Sequence, residues 1–253
     1  MWRLNSGVRD LYLHSVEVLV LNEIYGPGEH LREGRVCPPG PALTMIGKKR
    51  LENLRQCVED VIRKDVPGDL VETGVWKGGA VILMRAILKA YNIKDRRVFA
   101  ADSFCGIPNV NVEKYPADAV HAGTERLEIL DNNSAEEVEG YFRKMGLLDE
   151  QVVFVPGWFR DTLPVLQVES IAVLRLDGDI YESTWDALTH LYDKLSIGGY
   201  LIVDDFEAFA GCKAAVHDFR KLRNITEPIA VIDWTGIYWQ KERKAQAAAV
   251  EGS

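Results

Sequence analysis

From Asp69 onward the chain alternates short, nearly continuous apolar runs with longer amphipathic ones. Leu70–Thr73, Arg97–Ala101, Val152–Val155, Ile171–Leu176 and Tyr200–Val203 have the length and composition of strands. Ala80–Tyr91, Ala135–Met145, Ser183–Leu195 and Gly211–Arg223 carry apolar residues at helical spacing. Strands that are apolar on both faces and separated by helices predict a parallel sheet covered on both sides. Ile229–Val231 and Ile237–Gln240 flank the turn-forming string Asp233-Trp234-Thr235-Gly236, which predicts a closing antiparallel hairpin.

Ahead of this pattern, Val8–Tyr25 places Leu11, Val16, Leu19 and Val20 at helical spacing. Gly26-Pro27-Gly28 and Val36-Cys37-Pro38-Pro39-Gly40-Pro41 then break the chain. A second helix is predicted over Met45–Arg63, with Ile46, Leu51, Leu54, Val58 and Ile62 on its apolar face. The expected division is a helical and irregular extension over 1–64, an α/β domain over 65–243, and a fraying tail over 244–253. Gly106–Asn133 is long and poorly patterned, which marks a lid or binding loop.

Composition narrows the function classes. The net charge of −8, from 38 acidic and 30 basic residues, argues against a nucleic-acid partner. Lys48-Lys49-Arg50, a short basic cluster, reads as a solvated helix face. No apolar run is long enough to span a bilayer and no secretory leader is visible, so a soluble, cytoplasmic protein without membrane contact is expected. The four cysteines, Cys37, Cys57, Cys105 and Cys212, have no metal-ligand spacing and read as small buried hydrophobes.

The candidate chemistry lies at the strand ends, where open α/β sheets bind ligands. The first strand runs into Glu72-Thr73-Gly74-Val75-Trp76-Lys77-Gly78-Gly79, a glycine turn without the G-x-G-x-x-G of dinucleotide folds. An acid beside that turn repels pyrophosphate and suits the amino group of a methionine moiety. The second strand ends in Asp102-Ser103-Phe104, where a carboxylate can take the hydroxyls of a ribose. The third ends in Gly157-Trp158-Phe159, aromatics that either flank an adenine or pack in the core. Strands four and five end in Asp177-Gly178-Asp179 and Asp204-Asp205. Four carboxylates in one crevice call for a cation, and oxygen-only ligands favour Mg²⁺, Ca²⁺ or Mn²⁺ over zinc. Asp177, Asp204 and Asp205 are the preferred ligands, leaving Asp179 to accept a proton.

These strings, in this order, resemble the macrocin O-methyltransferase family from about Leu43 to Gln240, and the strand layout is that of the class I methyltransferase fold. The resemblance implies an S-adenosylmethionine- and Mg²⁺-dependent enzyme, Mn²⁺ being the alternative metal. Its acceptor would be a deoxysugar hydroxyl of a glycosylated secondary metabolite, as in antibiotic biosynthesis. It matches metal ligands at Asp177, Asp204 and Asp205 and a base at Asp179. It also implies that Thr44-Met45 closes over the cofactor, that a lid over Ile107–Asn133 carrying His121 covers the substrate, and that the protein is a homo-oligomer, a dimer or larger. Asn109-Val110-Asn111-Val112-Glu113-Lys114-Tyr115 departs from the family pattern and leaves the acceptor open. Three alternatives stand beside this reading: a metal-dependent methyltransferase of catechol-type phenols, a nicotinamide-dependent oxidoreductase, and a non-catalytic binding module.

Overall fold

A computed structural model describes residues 6–23, 41–121 and 134–244. The Pro/Gly-rich breaks between 24 and 40, the predicted lid beyond 121, and the tail from 245 lie outside them, as does Cys37. Two helices come first, α1 (Ser6–Leu21) and α2 (Gly47–Arg63). The alternating part follows: β1 (Asp69–Thr73), α3 (Gly79–Ala90), β2 (Val98–Asp102), a 3₁₀ helix (Pro116–His121), α4 (Ala135–Lys144) and β3 (Val152–Pro156). Then come the short α5 (Phe159–Thr162), β4 (Ile171–Leu176), α6 (Tyr181–Leu191), β5 (Leu195–Val203), α7 (Ala210–Leu222), β6 (Ala230–Val231) and β7 (Ile237–Gln240).

The seven strands form one sheet in the order β3-β2-β1-β4-β5-β7-β6. β1 to β5 are parallel, and β7 runs antiparallel to both β5 and β6. This is the expected parallel sheet closed by a hairpin. Strand periodicity divides the core. Leu70, Val98, Ala100, Val173 and Ile202 join α1 to α4 in one apolar cluster. Val71, Phe99, Ala101, Leu174, Leu201 and Val203 join α6 and α7 in the other.

Three readings of the elements and cysteines need correction. In α1 the buried face is Leu13, Val16, Val20 and Leu21, whereas Leu11 and Leu19 are 65% and 51% exposed. β5 begins at Leu195, five residues before the expected Tyr200, because Gly198 and Gly199 hide the strand in the sequence. The backbone nevertheless pairs there, Gly198 N–H to Lys241 O at 2.7 Å and Lys241 N–H to Gly199 O at 2.8 Å. Among the cysteines, Cys57 and Cys212 are buried and burial raises both thiols, Cys57 to about 12, but Cys105 is exposed. No helix among the described residues is long and apolar enough to cross a membrane.

Candidate active site

The carboxyl ends of β1, β2, β4 and β5 open into one cleft of about 1600 Å³, counted out to its open mouth. Thr44, Met45, Glu72, Gly74, Asp102, Ser103, Trp158, Phe159, Asp177, Asp179, Asp204 and Asp205 all line it. Thr73 and Gly157 do not; Thr73 is buried behind the wall, its hydroxyl unpartnered. His121 closes the 3₁₀ helix Pro116–His121 through its backbone.

The turn after β1 is shaped by contact with the turn after β4. Gly74 has φ 89°, and a Cβ there would collide with the Asp177 carbonyl, so no other residue fits. Asp177 N–H donates to Thr73 O at 2.8 Å and Gly74 N–H to Ala101 O at 2.9 Å, locking neighbouring strand ends together. Asp102 stabilises the same turn: its carboxylate accepts from Val75 N–H at 2.6 Å, Trp76 N–H at 3.2 Å and Phe104 N–H at 2.8 Å. Three donors occupy most of the roughly four lone-pair positions of a carboxylate. Thr44 and Met45 reach the cleft on a segment docked between α1 and α3. Leu43 N–H donates to Val20 O at 2.8 Å and Gly79 N–H to Leu43 O at 2.9 Å.

Period-two geometry also explains a buried ion network. Leu70 and Val173 face the α2 side, so Glu72 and Arg175, two residues on, face it too and stand opposite one another in register. Arg175, 1% exposed, donates to Glu72, to Asp204 and, at 2.8 Å, to Asp177. From α2, Arg50 donates to the other oxygen of Asp204 and, at 3.0 Å, to Asp233 in the β6–β7 turn. Asp233 in turn accepts from Thr235 and Gly236 N–H at 3.0 and 2.8 Å. The reading of Lys48-Lys49-Arg50 as a solvated face therefore fails at Arg50, which is 4% exposed. Its signal was present in the sequence. Ile46, Arg50, Leu54 and Val58 recur every fourth residue on the apolar face. Arg175 had a signal as well, as a charge inside the apolar run Ile171–Leu176 that required a partner.

Even with its guanidinium groups the crevice remains acidic. Eight carboxyl groups (Glu72, Asp102, Asp177, Asp179, Glu182, Asp186, Asp204 and Asp205) line the cleft against three guanidinium groups, Arg50, Arg160 and Arg175. Burial pushes Glu72 up to about 8, against the pull of Arg175. Burial also raises Asp204, with Arg175 and Arg50 opposing. Asp205 is raised well above the ordinary carboxylate range, first by burial and then by the charges of Asp179, Asp177 and Asp204. Asp177, Asp204 and Asp205 present oxygens within 4.8 Å of one another, close enough to share one ion. Asp179 N–H donates to Asp205 at 3.2 Å, which ties the two acidic turns together. The acidic set fits a divalent cation, whose charge would offset the burial, and the repulsion added to it, that raise Asp205. Glu72 also keeps a buried oxygen without a partner at the cleft wall, suited to an ammonium group.

The chain is similar to known methyltransferases. The family model described as Macrocin-O-methyltransferase (TylF) matches residues 6–241. Demethyldecarbamoylnovobiocin O-methyltransferase of Streptomyces niveus is 56% identical over 211 residues, covering 83% of this chain and 80% of that one. The 8-demethyl-8-(2,3-dimethoxy-α-L-rhamnosyl)-tetracenomycin-C 4′-O-methyltransferase of Streptomyces olivaceus is 44% identical over 254 residues, with 94% and 95% coverage. The solved structure of the O-methyltransferase NovP superposes with a TM-score of 0.89 at 51% identity, covering 93% of this chain and all of that one. The methyltransferase fold implies S-adenosylmethionine as the methyl donor, and the chain belongs to the macrocin O-methyltransferase family.

Proposed function

We propose that the protein methylates a sugar hydroxyl of a glycosylated secondary metabolite, using S-adenosylmethionine and a divalent metal, Mg²⁺ or Mn²⁺. The observation that carries the reading is the convergence of Asp177, Asp204 and Asp205 within 4.8 Å, beside the glycine turn of β1 in one cleft. The rhamnosyl substrate in the name of the Streptomyces olivaceus relative supports a sugar acceptor.

S-adenosylmethionine supplies an electrophilic methyl on a sulfonium that departs as a neutral thioether. In this reading Glu72 receives its amino group, Asp102 and Ser103 face its ribose, and Trp158 and Phe159 flank its adenine. Thr44 and Met45 close the near wall. Asp177, Asp204 and Asp205 would hold the cation, with Arg175 and Arg50 fixing Asp204 from both sides. A divalent cation held there would supply Lewis acidity that lowers the pKa of the acceptor hydroxyl, which a sugar alcohol needs more than a phenol does. Asp179 takes the hydroxyl proton. Holding acceptor and donor in line accounts for much of the acceleration, roughly 7–11 kcal/mol for well-aligned reactants.

The test supplies methyl-labelled S-adenosylmethionine, Mg²⁺ and either the rhamnosyl tetracenomycin acceptor or a catechol. Label in a sugar methyl ether, with little transfer to catechol, is the expected result. Preferential labelling of the catechol would replace the sugar reading with the phenol one.

A further inference from the structure

Helix α6 starts directly after the Asp177–Ile180 turn, yet the residue before it, Ile180, offers no side-chain cap. The first N–H groups of a helix need acceptors from somewhere. Here the acceptor comes from more than sixty residues upstream. Asp118, 0% exposed, sits on the 3₁₀ helix of the long β2–α4 connection. It accepts from Tyr181 N–H at 2.7 Å and, more weakly, from Glu182 N–H at 3.4 Å. The Tyr115 ring, one turn before it, stacks on Tyr181 at 5.2 Å and 27°. α7 leaves room for the carboxylate: a Cβ on Gly211 would collide with Asp118 and stand 3.0 Å from Tyr181 N. Three elements distant in sequence are thus shaped around one buried carboxylate.

The turn held this way is the one that carries Asp179. Asp179 has φ 58°, a left-handed conformation that a non-glycine residue keeps only where its surroundings impose it. Ile180 N–H donates to Gly178 O at 2.6 Å, closing the turn, and Asp179 N–H reaches Asp205. We propose that Asp118 is a positioning residue for methyl transfer: by capping α6 in place of Ile180, it fixes the Asp177–Tyr181 turn and the direction of Asp179. This rests on the reading of Asp179 as the base. Its effect belongs to turnover rather than to donor binding, because the donor wall is built from the ends of β1, β2 and β3 and from the Thr44–Met45 segment.

Asp118→Ala is expected to lower kcat roughly 10- to 100-fold, the scale of a small misplacement. S-adenosylhomocysteine affinity should stay at the wild-type value, and amide exchange at Tyr181 and Glu182 should quicken. Asp118→Asn keeps a capping oxygen of similar strength and should restore both kcat and slow exchange. Gly211→Ala pushes the carboxylate aside and should reproduce Asp118→Ala, which covers the case in which that variant fails to fold. Wild-type kcat in Asp118→Ala, with Asp179→Asn impaired, overturns the positioning role alone. Parallel losses of turnover and donor affinity make Asp118 a plain folding cap and overturn it as well. Wild-type turnover in Asp179→Asn instead removes the base reading, whatever Asp118→Ala does.

Discussion

Arg175 shows what single residues contribute here, since its guanidinium touches Glu72, Asp177 and Asp204 at once. Arg175→Met strands buried carboxylates and is expected to cost about 3–5 kcal/mol in denaturant unfolding. Adding Glu72→Gln should recover part of that loss; an additive double variant would show that the two side chains are not coupled. Asp177 and Asp179 are separable by chemistry. Asp179→Asn keeps size but cannot take a proton, so its rate should fall roughly 10²–10⁴-fold and stay low in excess Mg²⁺. Asp177→Asn should instead weaken the metal and be partly rescued by it; rescue of Asp179→Asn would exchange the two roles. At the cleft rim, burial and then the Glu182 charge raise Asp186 from 3.8 to about 6. A raised carboxyl contributes stability below its unfolded value and loses it as pH rises through the folded one. Relative to Asp186→Asn, the wild type should therefore lose stability between about pH 4 and pH 7. Melting curves of the two proteins that stay parallel across that range would contradict the assignment. The carboxylates at the strand ends were legible in the sequence because turns there display acids openly. Arg50 was less so, since a basic side chain is read first as solvated, and Arg175 lies inside an apolar run that draws attention to the strand rather than to its charge.

The elements were legible wherever one periodicity dominated. β1 to β4, α2 to α4, α6 and α7 lie within a few residues of their expected places because each apolar pattern fits only one structure, whereas the short α5 had no pattern to announce it. α1 differs. Its apolar residues include Leu11, Leu13, Val16, Leu19 and Val20, so more than one face satisfies helical spacing, and packing against α3 makes the choice. Leu13→Ala is expected to destabilise by about 2–5 kcal/mol, whereas Leu11→Ser should change stability little. Equal losses would return Leu11 to the core. The α2 register could have been read from the sequence. The spacing of Ile46, Arg50, Leu54 and Val58 turns Arg50 inward, where it joins the N-terminal helices to Asp204 and to the β6–β7 turn.

At the scale of the whole molecule, the parallel order β2-β1-β4-β5 brings four strand ends to one edge and collects residues from 72 to 205 into one cleft. That gathering was predictable because parallel strands connected by helices all end on the same side. The inward ion network was not, because it depends on which neighbours β1 and β4 meet in register. The cleft lining sets eight carboxyl groups against three guanidinium groups, an imbalance that gives the metal reading its physical basis. The most direct test is turnover on a glycosylated acceptor that the protein methylates, with metal stripped by a chelator and Mg²⁺ titrated back. The account predicts no methyl transfer in chelator and a saturable recovery with Mg²⁺; full turnover in excess chelator would contradict it.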